Sequence, residues 1–133
     1  MIDGRIGNDR GAVLIEFAFV APVFLILVFG VVQFGLLLNQ QQGLHAAARE
    51  GGRLASLAGS DLTSVEQRVT DSMIGVQLTS AYTTTISQNV QYPCDGRSGQ
   101  TVTVTVASQS ILDLPFFSGQ VVDMEGIGTF RCE

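Results

Sequence analysis

Glu16 is the residue whose position asks for a chemical reason. It is the only formal charge in the run AVLIEFAFVAPVFLILVFGVVQFGLLL, Ala12 to Leu38. An ionised carboxylate at the centre of a membrane helix costs about 2.5–3.5 kcal/mol on insertion scales, and less near the interface. Two readings stand side by side. In one, Glu16 sits in the first turn of the helix, where the helix dipole favours acids, and reaches back to the headgroups. In the other, it marks a functional position, as ionisable residues within membrane spans commonly do.

The remaining reactive side chains form no catalytic pattern. His45 is the sole histidine and has no cysteine near it, so a helix-surface role is expected rather than metal ligation. Asp61, Glu66, Asp71, Asp95, Asp113, Asp123 and Glu125 are scattered, and the loop DGRSG lacks the alternating oxygen ligands of a calcium site. Phosphate-binding loops, HExxH, CxxC and GxSxG are absent from the sequence. We therefore expect neither an enzyme nor a cofactor. Seven basic residues, all arginine, stand against twelve acids for a net charge of −5. With no basic cluster to neutralise phosphates, nucleic-acid binding is not expected. Cys94 and Cys132 lie well downstream of the apolar run, where a disulfide would form if that part is exported.

The elements that position these residues follow from periodicity. From Phe17 to Leu38 there is no charge and no polar face, so the segment reads as a transmembrane helix, not a soluble core helix. A cleaved secretory signal would have a shorter apolar region followed closely by a small-x-small site, whereas the nearest such site here is Ala46-Ala47-Ala48. Arg5 and Arg10 place the N-terminus on the cytoplasmic side, although Arg49 and Arg53 weaken the contrast. Pro22 predicts a local kink.

Beyond the bilayer, Leu44, Ala47, Ala48, Gly51, Leu54, Ala55 and Ala58 keep helical spacing, so the helix is expected to continue with a face of mainly small residues. That stripe is expected to pack within the protein, with a bend at Gly51-Gly52. Thr63-Ser64-Val65-Glu66 predicts a capping box opening a second helix, whose apolar face is Val65, Val69 and Met73 and which Gly75 ends. From Ala81 the period changes to two, and Tyr82, Thr84, Ile86, Val90 and Tyr92 predict a half-buried strand. QTVTVTVAS, residues 100–108, is the clearest strand. Ser110–Gly119, with Pro115, reads as a connector, and Met124–Cys132 as a third strand weakened by Gly126 and Gly128.

The expected fold class is α+β. A long N-terminal transmembrane helix runs into a small domain with a short helix and an antiparallel sheet of about three strands. Residues 1–11 are a cytoplasmic leader, 12–38 the transmembrane helix, 39–60 a juxtamembrane helix and 61–133 an exported α+β domain. A Cys94–Cys132 bridge would tie the end of the first strand to the end of the last.

Arg10-Gly11-Ala12 followed by Val-Leu-Ile-Glu-Phe resembles the start of type IV pilin-class proteins. The stretches IEFAFVAPVFLILVFGVVQFG, AAAREGGRLAS, TVTVTV and GTFRCE extend the likeness to the TadE-like family of tight-adherence (Flp) pilus assembly pseudopilins. The resemblance implies a pilin-like fold and cleavage after Gly11 by a prepilin peptidase, with Ala12 as the new N-terminus. Glu16 would then be residue five of the mature chain, with Phe17 its usual aromatic neighbour. The new Ala12 amine would lie one turn from Glu16 on the same face. Paired with a neighbouring subunit's amine, Glu16 would set the register of assembly. The implied partners are the peptidase, other pilin-like subunits with the pilus machinery of the inner membrane, and membrane lipid.

The implied role is that of a minor subunit needed for pilus assembly, held as a single-pass protein in the inner membrane and open to incorporation in a pilus. Two other readings stay open. One is a signal-anchored, non-pilus surface-binding module; the other is a minor pseudopilin of a type II secretion system.

Overall fold

A computed structural model describes residues 9–87, 91–114 and 117–133. Helix α1, Asp9–Ala55, is 47 residues long, which at 1.5 Å per residue makes a rod of about 70 Å. It passes through Pro22 without interruption. Its two halves differ in what covers them. No part of its most apolar window counts as buried within the protein. From Leu44 onward the small-residue stripe is covered, with Leu44, Ala47, Ala48 and Ala55 fully buried. Ala58 falls outside the stripe, because α1 stops at Ala55 and Ala58 is exposed.

Helix α2, Leu62–Ser72, starts earlier than the expected capping box. Its N-cap is Asp61, with extended backbone (φ −91°, ψ 158°). Ser64 Oγ donates to the Asp61 carboxylate and to its carbonyl, the latter at 2.9 Å. Asp61, immediately before Leu62, opens the helix, so Thr63 and Ser64 fall inside its first turn. The predicted face is the observed one: Val65 and Val69 are fully buried and Met73 is 7% exposed. Gly75, at φ +90°, follows the Met73 C-cap in the left-handed conformation that glycine adopts without strain.

Three antiparallel strands follow, β1 (Tyr82–Ile86), β2 (Thr101–Leu114) and β3 (Phe117–Arg131), in the order β1-β2-β3. β1 is shorter than its alternation predicts. It ends at Ile86; Val90 lies outside the described residues, and Tyr92 sits exposed in a turn. The expected connector at Ser110–Gly119 is instead largely strand: β2 and β3 form a long hairpin whose register runs from Thr101↔Arg131 to Leu114↔Phe117, with an irregularity between Leu112 and Leu114. Ser110 and Ile111 pair with Val122 and Val121, so cross-strand hydrogen bonding extends the ladder past the Thr/Val repeat. Pro115 lies outside the described residues. Val102, Val104 and Val106 are fully buried on the helix side, each worth about 1.5–3 kcal/mol relative to exposure.

The glycines of β3 explain how the sheet lies so close to α1. A Cβ on Gly126 would overlap the Leu44 backbone carbonyl, and one on Gly128 would overlap that of Ala48. On the helix side, a Cβ on Gly51 would stand 2.5 Å from Val69, and one on Gly52 2.7 Å from the Phe130 ring. The expected bend at Gly51-Gly52 is therefore not observed. Both residues stay helical, and their bare backbone admits Val69 and Phe130. Gly43 likewise makes room for Val76, 2.7 Å from where its Cβ would be.

Cys94 and Cys132 are joined in a disulfide with Cα atoms 5.3 Å apart, within the usual range for such a bridge. It closes a sequence separation of 38 residues, which loop entropy values at roughly 3–4 kcal/mol. The bridge lies near the C-terminal end of α1, where the Glu133 amide donates to the Ser56 carbonyl at 3.1 Å.

Candidate functional site

The first turns of the described chain carry the candidate site. Gly11, Ala12, Glu16 and Phe17 lie on one continuous helix, and all four are exposed. Ala12 and Glu16, four residues apart, lie one turn apart on the same face. Space for a side chain is open at Gly11, where a Cβ would meet nothing within 4 Å. Phe17 is 68% exposed, and the apolar side chains that follow it are exposed in the same way. Among the described residues, Glu16 makes no hydrogen bond or ion pair. Its surroundings are the apolar flank of its own helix and whatever medium covers that flank.

The disulfide belongs to the other end of α1. Thus the residues singled out in the sequence form two groups, Gly11 to Phe17 at one end of a 70 Å rod and Cys94–Cys132 near the other. No described contact links them.

Between the groups, polar residues just beyond the apolar run fasten α1 to the domain. Gln40 Nε2 donates to the Gln77 carbonyl at 2.8 Å, and Gln41 Nε2 to the Glu125 carbonyl at 2.7 Å. Gln41 Nε2 also lies 3.1 Å from His45 Nε2, which places the lone histidine in a side-chain pair along the helix. Arg53 and Glu50 approach to 3.9 Å with both side chains largely exposed, a geometry worth about 0–1 kcal/mol. Sequence reading passed over Gln40 and Gln41 and read the glycines of β3 only as weakening the strand. Their roles depend on which strand crosses the helix, and only the Asn39–Gln42 polar run hints at a change of environment.

Asp61 has a carboxyl group held below its ordinary value. The Ser64 hydroxyl is the main cause, since it stabilises the ionised form; desolvation opposes it.

These features define a class: an α+β protein carrying one N-terminal helix long and apolar enough to cross a membrane, consistent with single-pass anchoring. Residues 11–53 match the family model for TadE-like protein, the family that the sequence resembles. The match starts at Gly11 and ends two residues before α1 does, so it covers the helix and none of the sheet. The chain matches no curated protein and no solved structure.

Proposed function

We propose that this protein is a minor pilin-like subunit needed to assemble a tight-adherence pilus, and that a prepilin peptidase hydrolyses the Gly11–Ala12 bond. The observation that carries the reading is the TadE-like match over residues 11–53, which begins at the proposed cleavage position and takes in the whole exposed apolar helix. The apolar flank from Phe17 to Leu38 anchors the precursor in the inner membrane, N-terminus to the cytoplasm. In an assembled bundle the same flank packs on neighbouring subunits. Hydrolysis frees an ammonium at Ala12. Glu16, which makes no hydrogen bond or ion pair among the described residues, accepts a hydrogen bond from that ammonium or from its counterpart on an adjacent subunit. An out-of-register neighbour leaves the carboxylate unpaired in a poor solvent, so the pair selects register.

Intact-mass measurement on protein extracted from membranes, with and without the peptidase, tests the reading. A chain beginning at Ala12 only when the peptidase is active supports it. An uncut Met1 chain beside an active peptidase overturns it in favour of a plain anchored module. Co-purification with Flp pilin, as against secretion components, separates a tight-adherence role from a type II secretion role.

A further inference from the structure

β3 runs in the same direction as α1, and the two are in step. Gly126 lies against Leu44, Gly128 against Ala48, and Phe130 against Gly52. β3 is also an edge of the sheet, paired with β2 on one side only. Just past its C-terminal end the Cys132 amide donates to the Gln100 carbonyl at 2.7 Å. Backbone groups alternate sides along a strand, so the even-numbered residues of β3 face β2 and the odd-numbered ones face outward. Val121, Asp123, Glu125, Ile127, Thr129 and Arg131 thus turn their amides and carbonyls to an open edge about 34 Å long. Of these groups only the Glu125 carbonyl has a partner among the described residues, and that partner is Gln41.

The two edges of the sheet are not equivalent. β1 is 5 residues long and α2 stands beside it, where Leu62 and Glu66 line a cleft with Thr84, Thr85 and Ile86. Protein sheets shield an edge by shortness, proline, lysine, a bulge or a covering element. From Val121 to Arg131 there is no proline, no lysine and no register shift. One flank of α1 overlooks this edge. Gln41 reaches it, and His45 and Arg49 follow one and two turns along the same flank. A Cβ on Gly128 would stand 2.9 Å from the Arg49 Cα, which fixes the height of that arginine along the edge.

The chemistry that matches such an edge is another strand, whose extended backbone presents donors and acceptors at the same alternation. A second copy of this chain does not fit. An antiparallel β3–β3 pair would point the two α1 helices in opposite directions, which chains anchored the same way in one membrane cannot do. A parallel pair between β3 and a neighbouring copy's β1 keeps the helices aligned but crowds them. α1 and α2 lie on one face of the sheet, where Val65, Val69 and Val104 meet at Gly51. Each copy would add three strands, about 14 Å of sheet, and two helices side by side, which need about 16–20 Å. Charge narrows the chemistry of the strand that does fit. Arg49 is exposed on the helix side of the edge and Glu125 on the outer side, and neither side chain makes a hydrogen bond or ion pair among the described residues.

We propose that the outward edge of β3 takes an extended segment of another protein as a fourth strand, with carboxylate side chains toward Arg49 on its helix side and basic side chains toward Glu125 on its outer side. Backbone pairing supplies the affinity, and the two charges select which face of the segment turns toward α1. This contact is independent of cleavage at Gly11 and of the pairing of Glu16.

The probe is a synthetic peptide, acetylated and amidated, with Glu-Lys-Val-Thr repeated twice. When extended it carries its glutamates on one face and its lysines on the other. It is titrated against the full chain in neutral detergent, with amide exchange followed at Ile127 and Thr129. Saturable binding that slows exchange at both amides is the expected result, and Arg49→Gln should weaken it about two- to fivefold. Ile127→Pro and Thr129→Pro each remove an outward amide without touching the β2 ladder, and each should abolish binding. A peptide methylated at every backbone nitrogen should not bind. If it binds as tightly as the parent peptide, side chains alone hold it and the proposal is overturned. Absence of binding, or binding that leaves exchange at both amides unchanged, overturns it as well. Slow exchange without peptide, lost on dilution together with a dimer in sedimentation, identifies a second copy as the occupant and also overturns it. The methylated peptide keeps the test decisive should both proline variants fail to fold. Mature-chain mass is untouched by all of these outcomes, so the pilus reading stands or falls separately.

Discussion

Gly126 lies directly beneath the carbonyl of Leu44, so close that no side chain fits between strand β3 and helix α1. Gly128 stands in the same relation to Ala48, one helical turn further on. This pair of contacts sets the spacing of the whole domain, because β2 and then β1 take their positions from β3.

Replacing Gly126 by alanine must push helix and sheet apart. Overpacking of a dense interior typically costs about 1–3 kcal/mol, and here the obstacle is backbone rather than a flexible side chain. Gly126→Ala and Gly128→Ala should each destabilise the domain by that amount or more in denaturant titration of the detergent-solubilised chain. Gly30→Ala, with open space at its Cβ, should leave the domain's midpoint unchanged.

Removing the disulfide relaxes the unfolded chain over a separation of 38 residues. Cys94→Ser/Cys132→Ser, or reduction of the native protein, should lower stability by roughly 3–4 kcal/mol. Both sulfur positions are buried, at 2% and 3% exposure, so the double variant also loses packing. Matched titrations of oxidised and reduced protein provide the measurement.

Asp61 predicts a pH dependence of definite sign. Its carboxyl group is held below the ordinary 3.8 by the Ser64 hydroxyl, so the folded state binds the proton less readily than the unfolded chain. The resulting stabilisation is fully present above pH 3.8 and is lost as pH falls through the lowered folded value. Thermal midpoints recorded from neutral pH into this acid range should fall less steeply in Asp61→Asn than in the parent.

At the N-terminal end, Gly11→Val should block the proposed processing, because a β-branched side chain replaces an open position at the bond to be cut. Glu16→Ala should be processed nearly normally yet assemble poorly. Mature-chain mass and pilus counts in the same cells separate the two effects; a normal pilus number in Glu16→Ala removes Glu16 from the mechanism.

Much of this architecture was legible from periodicity. The charge-free run, the stripe from Leu44 to Ala55, the face of Val65, Val69 and Met73, and the alternation in TVTVTV each reflect burial on one side, which the sequence records residue by residue. The glycines misled for a physical reason. Locally, glycine weakens a helix or strand, so Gly51-Gly52 suggested a bend and Gly126 and Gly128 a poor strand. Their actual role is close approach, a property of two segments far apart in sequence. The length of the hairpin was hidden similarly, since Pro115 speaks for a break while the pairing of Ile111 with Val121 comes from the partner strand. Gly11, Ala12, Glu16 and Phe17 were conspicuous as residue types, but the feature that isolates them, a helix with no buried residue from Gly11 to Leu38, emerges only with the domain in place.

The parallel course of α1 and β3 has a mechanical consequence. Traction along the helix axis loads the Leu44–Gly126 and Ala48–Gly128 contacts and the Gln41–Glu125 hydrogen bond simultaneously, in shear. A crossing strand would instead be unzipped one contact at a time. With the Cys94–Cys132 bond closing the far end, helix and sheet resist separation along the helix axis.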